Sequence, residues 1–106
     1  MVERTVDLNI MNIIKKYIEE VSKKYKIETI ILFGSYAKGN NNEDSDIDIA
    51  IISSEFDDIY DDMAKLMLLT WNIDARIEPH PIKLEDFREN SNPFVQEVIK
   101  TGIKVA

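Results

Sequence analysis

The sequence predicts an α/β sandwich, one domain over residues 1–106, from three observations. Stretches with apolar residues at helical spacing alternate with short β-rich stretches, in the order helix, strand, short helix, strand, helix, strand, helix. No internal repeat, linker or low-complexity tract breaks that alternation. At 106 residues and 44% hydrophobic composition, the chain is near the modal domain size and can bury a modest core.

Residues 9–25 carry Ile10, Ile13, Ile14, Tyr17, Ile18, Val21 and Tyr25 at helical spacing, with Lys15, Lys16, Glu19, Glu20, Lys23 and Lys24 opposite. This predicts an amphipathic surface helix. Ile27 to Phe33 is β-rich and nearly all apolar, a strand covered on both faces. Ser35 to Lys38 predicts a short helix ended by Gly39, with Asn40, Asn41 and Asn42 as the polar turn beyond. Ile47 to Ile52 predicts a second strand, alternating at its start and wholly apolar at its end. Asp57 and Asp58 open a second helix reaching about Trp71, with Ile59, Met63, Ala64, Met67, Leu68 and Trp71 inward. Asn72 to Glu78 alternates, Ile73, Ala75 and Ile77 on one face and Asp74, Arg76 and Glu78 on the other, which predicts a third strand. Pro79 and Pro81 are expected to stop it, since neither donates a ladder hydrogen bond. Asn92-Pro93 supplies the cap and first-turn proline of a last helix that ends before Gly102, and Ile103 to Val105 a short terminal strand.

Composition excludes several classes of function. A net charge of −7 argues against an extended polyanion partner, which would draw on clustered Lys and Arg. With no cysteine there is no disulfide framework and no thiol chemistry. The N-terminus lacks the apolar core of a signal peptide, and no apolar run reaches the roughly 18 residues of a membrane span. The expectation is a soluble cytoplasmic protein.

Chemistry concentrates in two places. Gly34 follows an apolar strand directly, where a glycine turns the backbone sharply and admits a ligand without meeting a Cβ. The free N–H groups at the start of the Ser35 helix, with the Ser35 hydroxyl, make an anion site suited to phosphate. The competing account is local: Ser35 as a helix N-cap and Gly34 as a turn residue. Ten residues on, Asp46 and Asp48 lie two apart on a predicted strand and leave the same face. Carboxylates that close repel unless a cation sits between them, and hard oxygen ligands with no His or Cys nearby select Mg²⁺ or Mn²⁺ over zinc. Alone, the pair would read as a solvated acidic strand start continuous with Glu43 and Asp44. Cradle and ligands together, at opposite ends of one hairpin-like unit, suit a metal-bound nucleoside triphosphate and nucleotidyl transfer.

A third acid is expected at the metal site. Glu78, ending the third predicted strand, is preferred to Asp74 because active-site groups favour strand ends; an exposed ion pair with Arg76 is its structural alternative. Lys38 could reach a triphosphate oxygen or stand as an exposed helix-end lysine. His80, the chain's sole histidine, reads as structural or solvated, and the Asp57 to Asp62 acids as a solvated helix start. Met63, Met67 and Trp71 read as core by spacing.

Gly34-Ser35-Tyr36-Ala37-Lys38-Gly39 through Ser45-Asp46-Ile47-Asp48-Ile49-Ala50-Ile51-Ile52 resembles the signature of the DNA polymerase β-like nucleotidyltransferase superfamily, nearest its minimal, antitoxin-type branch. The likeness extends over nearly the whole chain, including Ile77 to Pro81 and the Asn92-Pro93-Phe94 helix with Gly102. It implies a mixed β-sheet with helices packed against it. It further implies Gly34 and Ser35 on the β- and γ-phosphates of ATP, Asp46 and Asp48 on two Mg²⁺ ions (Mn²⁺ as the alternative), and Glu78 as base or third ligand. Many such domains act as antitoxins beside a helical HEPN-type toxin, transferring AMP from ATP to a toxin hydroxyl. The family's common Arg in the Gly-Ser-x-x-x-Gly segment is Lys38 here, which keeps the charge and loses the bidentate fork. The added substrate domain of larger members is missing, so the second substrate binds at the surface or is offered by another protein. A module that neutralises its partner by contact, and a nucleotide sensor, are the alternative functions; homo-oligomerisation stays open.

Overall fold

Nine elements make up the fold in the computed structural model, which describes residues 6–106: α1 (Leu8–Lys24), β1 (Thr29–Phe33), α2 (Ser35–Lys38), β2 (Ile47–Ser53), α3 (Ile59–Leu68), β3 (Ile77–Lys83), α4 (Leu84–Glu89), α5 (Pro93–Thr101) and β4 (Ile103–Lys104). The strands form one mixed sheet in the order β3-β2-β1-β4. β1 runs antiparallel to β2 and to β4, whereas β2 and β3 are parallel and joined through α3.

α1 forms as its periodicity predicts. Asp7 caps it by accepting from Asn9 N–H at 2.7 Å, Lys23 and Lys24 close it, and Ile10, Ile14, Tyr17 and Val21 are buried. Those four pack on Ile30 and Leu32 of β1, Ile47, Ile49 and Ile51 of β2, and Ile77 of β3. The opposite face carries Ile31, Ala50, Ile52 and Ile82, covered by Val95 and Val98 of α5. Leu84 and Phe87 of α4 border that cluster; no periodicity signals so short a helix. β1 is thus apolar on both sides because helices lie on both sides of it. α5 and β4 stand where expected, with Asn92 accepting from Phe94 N–H at 2.8 Å and Pro93 opening the helix.

Two expectations fail. The third strand is Ile77–Lys83, not 72–78; residues 72–76 are turn and irregular backbone. Pro79 and Pro81 lie inside it, which is possible because β3 is an edge strand. Ile47 N–H donates to the Arg76 carbonyl at 2.8 Å, so the even-numbered residues turn their backbone groups towards β2. The prolines therefore lack a donor only on the outer rim, where an unpaired N–H would invite strand addition.

The second failure is the rotation of α3. Leu66 is buried, Met63 half-buried and Asp62 only 7% exposed, whereas Tyr60, Leu68 and Trp71 are 90%, 73% and 86% exposed. The inward face sits one residue, about 100°, from where apolar spacing puts it. Asp62 is the reason. It accepts from Tyr25 Oη at 2.9 Å and from Asp57 N–H at 3.1 Å, so a carboxylate that reads as solvated is a buried, partnered one. The neighbouring Tyr17 hydroxyl donates to the Leu66 carbonyl at 2.8 Å and ties α1 to the same turn. Helix α3 also stops at Leu68, leaving Trp71 in the turn beyond.

Candidate active site

The acids stand on the α5 side of the sheet, at the end its helices leave open. β2 alternates, so Asp48 shares a face with Ala50 and Ile52. Cross-strand register sets Phe33, Asp48 and Glu78 in one row over β1, β2 and β3, and Ile31, Ala50 and His80 in the next. Glu78 is thus brought beside Asp48 by parallel pairing at the start of β3, not at a strand's end as sequence reasoning held. Arg76 does not pair with it; the guanidinium binds Asp74 at 2.9 Å and donates to Tyr36 Oη at 3.2 Å.

Gly34 belongs to the same site. Antiparallel pairing returns the chain, so Gly34 and Asp48 lie at one end of the β1–β2 hairpin instead of at opposite ends. Its φ of 74° and ψ of −152° fall in a region almost exclusive to glycine. A Cβ there would collide with Asp48 Oδ2 and lie 3.2 Å from its Cγ. Gly34, not Ser35, is the N-cap of α2. Lys38 N–H makes its bond to the Gly34 carbonyl at 3.0 Å, and the N–H groups of Ser35, Tyr36 and Ala37 precede it. Lys38 itself points towards α5, 3.8 Å from Glu97 Oε1. The loop to Asp46 is held by Asn42, whose N–H donates to Ser45 Oγ at 2.9 Å and whose Oδ1 accepts from Asp44 N–H. Asp46 precedes β2 and is exposed.

Electrostatics ties the acids together. Burial pushes the Glu78 carboxyl above the usual carboxylate range; a hydrogen bond with Asp46 and the negative charges of Asp48 and Asp46 push it further, against the pull of His80. Crowded carboxylates of this kind fit a divalent cation, whose charge would remove the repulsion.

Sequence reasoning missed His80. Its Nε2 lies 3.3 Å from Asp48 Oδ1 and 3.7 Å from Glu78 Oε1, and one donor atom each from Asp48, Glu78 and His80 fall within 4.8 Å of one another. The premise that no histidine stands near the carboxylates is therefore wrong. Phe33 packs edge-on to its ring at 4.9 Å between centroids, with Phe94 at 5.7 Å. The two-residue step from Glu78 to His80 signals a shared face, but only once β3 is known to run through Pro79.

This arrangement has relatives. The family model described as polymerase beta, nucleotidyltransferase matches residues 3–106. A candidate protein adenylyltransferase of Methanocaldococcus jannaschii is 35% identical over 98 residues, spanning 89% of this chain and 91% of that protein. The protein adenylyltransferase MntA of Shewanella oneidensis is 31% identical over 80 residues, 73% of this chain and 52% of its own length. A crystal structure of a toxin–antitoxin with AMP-PNP superposes with a TM-score of 0.65 at 28% identity, covering 91% of this chain and 72% of that one. Among the described residues no helix is long and apolar enough to cross a membrane. A glycine turn seated on Asp48, in a mixed four-stranded sheet and with a family match over almost every residue, leaves one conclusion: the chain belongs to the polymerase β nucleotidyltransferase family and is a nucleotidyltransferase.

Proposed function

We propose that this chain is a protein adenylyltransferase of the cytoplasm that moves AMP from ATP to a hydroxyl of a HEPN-type toxin and so acts as its antitoxin. The observation that carries the reading is the seating of Gly34 on Asp48, with Glu78 in the adjacent strand position, because it joins a phosphate cradle to a cation site. The relatives support the finer points: one is named a protein adenylyltransferase and another a candidate one, and the toxin–antitoxin structure contains an ATP analogue.

In this reading Asp46, Asp48 and Glu78 hold two Mg²⁺ ions, with Mn²⁺ as a substitute. Such ions, when bound, neutralise triphosphate charge and lower the pKa of an acceptor hydroxyl. Gly34 and Ser35 would receive the β- and γ-phosphates through backbone N–H groups and the Ser35 hydroxyl. The acceptor oxygen attacks the α-phosphorus in line, the bond to the pyrophosphate oxygen breaks, and the hydroxyl proton passes to the Glu78 carboxylate. Glu78 would take that proton from beside Asp48, its partner across the β2–β3 register. Lys38, half-exposed beside Glu97, serves the triphosphate only by leaving that contact. The exposed Tyr60, Leu68 and Trp71 on and after α3 support a protein as the second substrate, since Leu68 also lines two clefts beside α1.

The test uses purified protein, Mg²⁺, ATP labelled at the α-phosphate and the protein encoded next to it. Label should move to that partner with release of pyrophosphate, and Asp48→Ala should lower the rate at least about 100-fold. Unchanged pyrophosphate release in Asp48→Ala would end the reading. The exposed α3 face also favours a second reading, neutralisation by contact alone: an Asp46→Ala/Asp48→Ala protein that still protects cells from the partner would establish it.

A further inference from the structure

His80 stands where neither the acid motif nor the glycine turn requires a histidine. Adjacent ligands bound about 2.0–2.2 Å from one ion lie about 3.0–3.5 Å apart. His80 Nε2 meets that spacing with Asp48 Oδ1 at 3.3 Å and comes close to it with Glu78 Oε1 at 3.7 Å. Its ring is oriented before any ion arrives, by Phe33 edge-on and Phe94 beyond, and the neighbouring strand position holds only the methyl of Ala50. Side chains of Asp48 and His80 are 21% and 22% exposed, enough for an ion to enter and little enough to keep the donors converged.

We propose that His80 Nε2 joins Asp48 and Glu78 as a further ligand of the metal site, and that this nitrogen tilts the site towards imidazole-accepting divalent transition ions over Mg²⁺. The proposal rests on the reading of Asp48 and Glu78 as metal ligands and adds to it the ion's chemical class. An all-carboxylate set suits Mg²⁺, whereas an imidazole raises affinity along the transition series and leaves the hard, strongly hydrated Mg²⁺ nearly indifferent. Hydrogen bonding from His80 to Asp48 with no bond to an ion is the competing account.

Mn²⁺ is the spectroscopic probe. Because His80 is the only histidine, untagged protein grown with ring-¹⁵N-labelled histidine assigns any imidazole signal to it without a mutation. Electron spin-echo modulation of bound Mn²⁺ should show nitrogen coupling that changes from the ¹⁴N to the ¹⁵N pattern. By calorimetry, His80→Gln should weaken Zn²⁺ binding about tenfold or more and Mg²⁺ binding less than about threefold. Mn²⁺ bound in wild type, lost in Asp48→Asn, and free of nitrogen coupling would overturn the proposal and leave the carboxylate site standing. Equal losses of Zn²⁺ and Mg²⁺ binding in His80→Gln would overturn the preference. No binding of any of these ions to the wild type would overturn the metal site itself.

Discussion

On one face of the sheet Ile47, Ile49 and Ile51 of β2 are wholly buried beneath α1 and its neighbours; on the other, the interleaved Asp48, Ala50 and Ile52 pass from an open acidic end to a closed apolar one. The strands are the same, and so is their register. The first face gains from every residue it hides from water. The second hides Ala50 and Ile52 but keeps Asp48 and Glu78 together at a cost, since their like charges are crowded and His80 offsets only part of the repulsion. Stability and chemistry are thus segregated by strand parity, one residue apart.

Adjacent positions offer the hardest test of that contrast. Ile49→Ala should cost about 2–5 kcal/mol in chemical unfolding and leave the folded fraction competent. Asp48→Ala should leave the metal-free fold within about 0.5 kcal/mol of wild type while label transfer collapses. Similar losses of stability in both would erase the distinction between faces. Gly34→Ala comes next, at about 1–3 kcal/mol in urea denaturation, because a Cβ meets both a forbidden backbone region and the Asp48 carboxylate. A wild-type midpoint there would separate the turn from the aspartate.

The buried carboxylate of the closed side sharpens the comparison. Tyr25→Phe removes a donor from Asp62 and should cost about 1 kcal/mol, whereas the acids of the open side lose nothing by neutralisation. Glu78→Gln shows the opposite sign. A carboxyl raised in the folded state contributes stability that is fully present below its ordinary range and lost as pH rises through the raised value. Metal-free Glu78→Gln should therefore melt higher than wild type at neutral pH, with the gap closing in acid, and should lose the melting shift that Mg²⁺ produces. A lower melting temperature at neutral pH would contradict the crowding. The smallest effect belongs to Trp71→Ala, under about 0.5 kcal/mol, because the ring is 86% exposed. A loss near 3 kcal/mol would mean that the helix faces inward as its apolar spacing suggests.

Much of the site is legible in the chain because it is contiguous. Gly34-Ser35 and Asp46-x-Asp48 lie on consecutive strand ends, and their spacing alone implies a cradle and a cation site. Glu78 is reached from sequence by reasoning about strand ends, yet the register of β3 is what puts it beside Asp48. His80 is hidden by its prolines, which read as breakers although an edge strand accommodates them. The face of α3 is misread for a different reason: a buried carboxylate inverts the rule that polar residues point outward, and its partner Tyr25 lies 37 residues away.

Alternating periods, the capped last helix and the glycine turn with its paired acids were determined by the sequence alone, since each depends on residues within a few positions of one another. Tertiary structure decided the rotation of α3, the passage of β3 through Pro79 and Pro81, and the arrival of His80 at Asp48. These depend on which strand stands beside which and on partners distant in the chain. Local patterning is blind to such pairing, because the hydrogen bonds and buried contacts that select it exist only once the sheet has formed.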